Sequence, residues 1–370
     1  MHFGLFSLMT QRDPDKPARQ IYAETVEQVR LAEQIGFEIA WFAEHHFSNY
    51  CLCPTPLAMV YFMAGQTKRI RLGPAVIVAP LYEPVRLLED IAVADTLSDG
   101  RLVLGFGTGY QEYEFHKFGV NLADSRAITL EVLDAVERFL AGGPFGHAGK
   151  HVQIPETYCR VRPMQARPDI YVAGLANDPA TQRMSAERGY VPFFTTGWQT
   201  LDEIAGTRAK VAAAYAETGR NPTQMPYAFQ QYVFVTDDRQ EALQAAEGAR
   251  YIRRIATSMR QRYGEVDGGF LKEIPAPDEP PLEEIAERMV IGDPERCAQK
   301  LIKEIERLGP THISAFMAIP GIPQKRVLRS MERFGSFVLP RLEKHFGKPM
   351  RATGTPPEDA RQAARAARAS

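Results

Sequence analysis

Cysteine is scarce in this chain, with four in 370 residues, at Cys51, Cys53, Cys159 and Cys297. They are too few and too irregularly spaced for a disulfide scaffold in a chain of this size. Cys51-Leu52-Cys53 also lacks the spacing of a zinc knuckle, and no metal site is expected. Each cysteine reads as a small buried side chain. An excess of one charge is missing too. Lys+Arg number 44 against 45 Asp+Glu, a net charge of -1, so no global field favours nucleic acid or an anionic membrane surface. Long hydrophobic runs are absent as well. The opening MHFGLFSLMTQRDPDKP holds one brief apolar run followed by mixed charges, which suits neither a signal peptide nor a membrane span. The expectation is a soluble, cytoplasmic protein whose 45% hydrophobic content can bury a large core.

What the chain does have is alternation. Strand-like runs occur at HFGLFSL, FEIAWFA, RIRLGPAVIVAP, RLVLGFG, DIYVAG, YVPFFT, PYAFQQYVFVTD and THISAFMAI, and helical spacing fills the gaps between them. Tyr22, Val26 and Val29 form a first stripe that Gly36 ends. Pro54 and Pro84 each suit a helix's first turn, where a missing amide donor costs nothing. Further helices are expected over 121–142, 178–189, 200–218 and 238–262, and along the stripes Cys297, Leu301, Ile305, Leu308 and Val327, Met331, Phe334, Val338. Two segments break the rhythm. GGPFGHAGKHVQIPETYCRVRPMQARP is an excursion with room for a small β-hairpin, and GEVDGGFLKEIPAPDEPPLEE is a long irregular insertion, either a surface loop or a lid.

Eight strands with intervening helices favour a (β/α)8 TIM barrel over a doubly wound open sheet. The barrel has its excursion after strand four and its long insertion before strand eight. One domain is expected over 1–348, followed by an Ala/Arg-rich tail over 349–370 with almost nothing large to bury. A dinucleotide fold has only Gly105, Gly107 and Gly109 in its favour. Their spacing is not G-x-G-x-x-G, and no acidic residue sits on a suitable strand about 20 residues on.

The chemistry concentrates between residues 45 and 109. Glu44, His45 and His46 end one strand-like run, and GFGTGY turns the chain after another. In a parallel barrel both ends open onto one pocket. Neighbouring residues on a strand point to opposite faces, so at most one of His45 and His46 faces that pocket unless the strand has already ended. Histidine, with an ordinary pKa of about 6.5, can lend or take a proton near neutral pH. Phe6, Tyr110, Glu112 and His116 are further candidates for the lining.

The motifs WFAEHHF, RLGPAVIVAPLYEPVRLLEDIAVADTLSDGRLVLGFGTGY and NLADSR, in this order, resemble the bacterial luciferase-like flavin monooxygenases, most closely the alkanal monooxygenase alpha-chain branch, over residues 1 to about 345. The resemblance implies a TIM-like barrel that binds reduced FMN supplied by a separate flavin reductase. It implies O2 as co-substrate, a flavin C4a-peroxide, insertion of one oxygen atom into a small or medium apolar organic substrate, and a homodimer. It places the catalytic histidine on His45, with His46 and Glu44 beside it. A non-prolyl cis peptide falls on Ala75-Val76, against the flavin ring. The family's phosphate-binding arginine falls on Thr108, and its neighbouring reactive cysteine on Gly107, so a cationic clamp is replaced by a neutral hydroxyl. Its remaining phosphate contacts fall on Asn177, Asp178 and Thr181, at a helix N-terminus whose free amides can hold an anion. Arg183 is either a substitute cation or part of a solvated helix face. Hydride transfer with F420 or FMN, and passive flavin binding without catalysis, remain as alternatives.

Overall fold

The computed structural model describes residues 1–174, 178–261, 266–277 and 279–352. In chain order the barrel elements are β1 (His2–Ser7), α1 (Ala18–Ile35), β2 (Ile39–Phe42), α2 (Pro56–Ala64), β3 in two pieces (Arg71–Pro74 and Ile77–Val78), α3 (Pro84–Leu97) and β4 (Leu104–Gly107). There follow α4 (Glu112–Phe118), α5 (Ser125–Ala141), β5 (Ile170–Ala173), α6 (Pro179–Arg188), β6 (Val191–Thr195), α7 (Leu201–Glu217), β7 (Ala228–Val235) and α8 (Arg239–Gln261). The chain ends with α9 (Leu282–Arg288), α10 (Pro294–Leu308), β8 (His312–Phe316), α11 (Gln324–Arg333) and α12 (Leu339–Phe346).

All eight expected strands are present, and every pair around the ring is parallel. The first piece of β3 bonds to β2 and the second to β4, so β3 closes the ring. A layer of large groups fills the barrel. The Trp41 indole N–H donates to His312 Nε2 at 2.9 Å, and its ring meets those of Tyr171 at 4.9 Å and Phe193 at 5.5 Å. Two glycines make room for this layer. A Cβ on Gly4 would stand 2.7 Å from the His312 ring, and one on Gly73 would stand 2.9 Å from Trp41.

The excursion after β4 does hold a hairpin, Phe145–Ala148 against Gln153–Thr157. The insertion is more regular than expected. Val266–Asp267 pairs with Phe270–Leu271, α9 begins inside its last residues, and Val290–Gly292 adds a short parallel strand to β7 outside the ring. Its tip is pinned to the loop after β2, where the Asn49 amide donates to Gly269 O at 2.8 Å and Leu271 N donates to the Asn49 side chain at 3.0 Å. α2 starts at Pro56 rather than Pro54, with Thr55 before it. The buried stripe of α1 is turned by one position, so Ile21, Thr25, Gln28, Val29 and Ala32 face inward while Tyr22 and Val26 are only half-buried. The docked chain also runs past the expected boundary at 348. Met350 is buried, and Ala352 N donates to Gly36 O at 2.8 Å; the rest of the tail, 353–370, lies outside the described residues. The four cysteines are buried and unpaired. No helix among the described residues is long and apolar enough to cross a membrane.

Candidate active site

β2 ends at Phe42, so Glu44, His45 and His46 lie on the loop beyond it, and two carboxylates decide where that loop goes. Glu114, 1% exposed on α4, accepts from the His46 backbone amide at 2.8 Å and meets His45 Nδ1 at 2.9 Å, both through Oε1. Glu44 meets His46 Nε2 at 3.1 Å. Its other oxygen accepts from Val78 N at 3.2 Å and from the Tyr82 hydroxyl at 2.8 Å, which ties the loop to the second piece of β3. Burial pushes the Glu44 carboxyl up, opposed by the His46, Tyr82 and Val78 contacts. The His45 ring therefore faces the barrel mouth, packed edge-on against Tyr50 at 4.7 Å. The His46 ring instead packs on Phe118 at 4.8 Å, outside the cavity lining.

His45 lines a cavity of about 520 Å³ at the C-terminal ends of the strands, within the roughly 300–1,000 Å³ usual for small-molecule and cofactor sites. One wall is made of small groups. Ala75, Val76, Gly107 and Thr108 all lie on it, and the Ala75-Val76 peptide is cis. A Cβ on Gly107 would stand 2.5 Å from the Val76 side chain, so only glycine lets β3 and β4 meet this closely. Aromatic side chains also line it, among them Phe193, Trp198 and Phe316. Phe6 and Tyr110 also line the cavity, whereas Glu112 and His116, four apart on α4, face solvent.

The phosphate candidates are placed differently. The Thr108 hydroxyl reaches the cavity but donates to Gly109 O at 3.1 Å. Asp178 caps α6, accepting from the backbone amide and the hydroxyl of Thr181, and Arg126 stands 3.4 Å from it. Asp178 and Thr181 are outside the cavity lining, though Gly174, at the end of β5, is part of it. Asn177 lies outside the described residues. Arg183 is exposed and pairs with Glu217 at 3.0 Å, so it belongs to the solvated helix face.

The sequence profile described as Luciferase-like monooxygenase matches residues 1–312. The chain belongs to that family. It is 35% identical to a protein of Sinorhizobium fredii, over 94% of this chain and 99% of that one. It is 25% identical to the oxygenase component of a flavin-dependent trigonelline monooxygenase of Acinetobacter baylyi, over 92% and 95%. The oxygenating constituent of 3,6-diketocamphane monooxygenase of Pseudomonas putida, solved in complex with FMN, has the same fold: the TM-score is 0.74 at 24% identity, covering 92% and 98%. In this chain the Ala75-Val76 wall is built of small groups. A Cβ at Gly107 would press on Val76 and one at Gly109 on Phe115 and Val78, so these glycines let neighbouring groups pack closely along this wall, and a Cβ on Gly174 would stand 3.7 Å from the Thr108 hydroxyl.

Sequence reasoning missed Glu114, Tyr50, the Trp198 loop after β6, and the inward face of α8 with Arg253 and Arg260. Glu114 sits in a helix of only seven residues, too short for periodicity to reveal its register. α8 was expected as an amphipathic helix, but a helix stripe shows only that a face is covered, and part of this one covers a cavity.

Proposed function

We propose that this chain is the oxygenase of a two-component system in the cytoplasm. It takes reduced FMN from a separate flavin reductase, uses O2 to insert one oxygen atom into a small or medium organic substrate with an apolar body, and acts as a homodimer. The observation that carries the reading is His45, oriented by a buried carboxylate and aimed into a cavity beside the Ala75-Val76 wall. Ala75, Val76 and Gly107 would hold the flavin ring; Thr108, Gly174 and the α6 N-terminus, where Asp178 and Thr181 stand, would hold its phosphate. Bound reduced FMN supplies the electrons that activate O2.

The protein's own part is positional and protic. Glu114 takes Nδ1, so Nε2 is the nitrogen of His45 that exchanges a proton at the reacting centre. Glu44 and His46 hold the loop, and so the ring, in place. The aromatic lining would limit water's access to the reacting centre, which protects a reactive oxygen species from decaying unused. Anaerobic titration with reduced FMN, reduced F420 and NADPH tests the reading: FMN is expected to bind tightest. Tighter F420 binding would replace oxygenation by hydride transfer, and absence of flavin binding would end the proposal.

A further inference from the structure

The cavity has one charged wall that the flavin reading leaves unused. α8 presents Ala249, Ile252, Arg253, Ala256 and Arg260 to it, a spacing that puts all five on one helix face. The Arg260 guanidinium lies 4.4 Å over the Tyr110 ring, and the same ring stands 5.8 Å from that of His45. Arg253 lies 5.9 Å over the Trp198 ring. Neither arginine has a carboxylate within ion-pair distance among the described residues. Their helix neighbours do, since Arg250 and Arg254 pair with Glu279 at 3.8 and 2.6 Å. The other charged groups that line the cavity are already engaged, Glu44 by His46 and Tyr82, and Glu114 by His45.

A guanidinium stays charged and offers a rigid fork of donors that matches a carboxylate's two oxygens. When it is stacked on a ring, its N–H edge is left for a ligand. α8 thus pairs two half-buried arginines with Glu279 and leaves without a carboxylate partner, among the described residues, the two exposed ones that line the cavity, which are free to meet an incoming anion. Tyr110 touches both Arg260 and His45, which links this cation to the histidine through one ring. We propose that the organic substrate carries a carboxylate, bound by Arg260 with Arg253 as second cation, and lays its apolar body against the aromatic lining toward His45. The assignment of this anion as substrate rests on the monooxygenase reading; the anion site itself does not need the flavin.

Trp198, half-buried beneath Arg253, is a built-in reporter, because the only other tryptophan, Trp41, is sealed inside the barrel. Its fluorescence is titrated in flavin-free and FMN-loaded protein with straight-chain carboxylates from butanoate to dodecanoate and with benzoate, phenylacetate and nicotinate, each against its primary amide. At least one carboxylate is expected to bind roughly tenfold or more tightly than its amide. Arg260→Gln should erase that preference and Arg260→Lys restore part of it, with FMN affinity unchanged in both. Equal binding of acid and amide across the whole panel overturns the proposal. So does Arg260→Gln weakening FMN while sparing riboflavin, since the arginine would then hold the cofactor's phosphate. A carboxylate preference that persists in a protein unable to bind FMN would strike the flavin reading and leave the anion site standing.

Discussion

Two histidines one position apart have different neighbours, and carboxylates make the difference. Glu114 bonds to the ring of one and the backbone of the other, so it sets the loop's path and the imidazole's tautomer together. Partners of this kind commonly account for 10–100-fold in activity. Glu114→Gln keeps the shape and an acceptor oxygen but loses the negative charge that supports a protonated imidazole; oxygenation should fall by roughly that factor, and the pH profile of turnover should shift while FMN affinity and melting temperature hold. An unchanged profile with lower stability would make Glu114 merely structural. His45 was legible because histidine is chemically conspicuous at a strand end. Its partner was not: Glu112 and His116 were the acidic and basic candidates for the lining, and the register of α4 turns both to solvent while burying Glu114.

At the scale of elements, some helix starts carry local chemistry. Thr200 and Glu203 form a reciprocal capping box at α7, and Asp178-Pro179 opens α6. α9 and Val290–Gly292 escaped notice because they are too short for a period to show and are held by tertiary contacts. Strand glycines are the counterpart. A Cβ at Gly73 would stand 2.5 Å from the Val103 carbonyl and press on Trp41, whereas one at Gly206 in α7 meets nothing within 4 Å. Gly73→Ala should therefore destabilise the barrel by about 1–3 kcal/mol, and Gly206→Ala should stabilise it by roughly 0.5–1 kcal/mol, both read from urea midpoints. Destabilisation of equal size at both sites would contradict the packing described.

Over the whole molecule, buried titratable groups away from the cavity shape the response to pH. Burial pushes Glu304, between α10 and β7, from an ordinary 4.5 up to about 7, against the pull of Lys300 and Gln231. The folded chain then holds a proton that the unfolded chain releases, so this group's contribution to stability declines as pH rises from about 4.5 through 7. Burial drives His312 down to about 3, aided by His2 and Arg71. Its contribution is present above pH 6.5 and is lost as pH falls below that value. Glu304→Gln should gain melting temperature relative to the parent chain as pH rises toward 8, and gain nothing near pH 4; an offset independent of pH would show that Glu304 does not titrate on unfolding. The barrel as a whole was legible from eight alternating runs, while the cavity's contents were not, because they come together only when the ring closes. The central claim, that His45 serves oxygen chemistry on a bound flavin, is tested most directly by rapidly mixing the complex of protein and reduced FMN with O2 and following hydrogen peroxide release. The parent protein should release peroxide more slowly than free reduced FMN, and His45→Ala should bind FMN equally well yet release peroxide at close to the free rate; identical release by parent and variant would contradict the account.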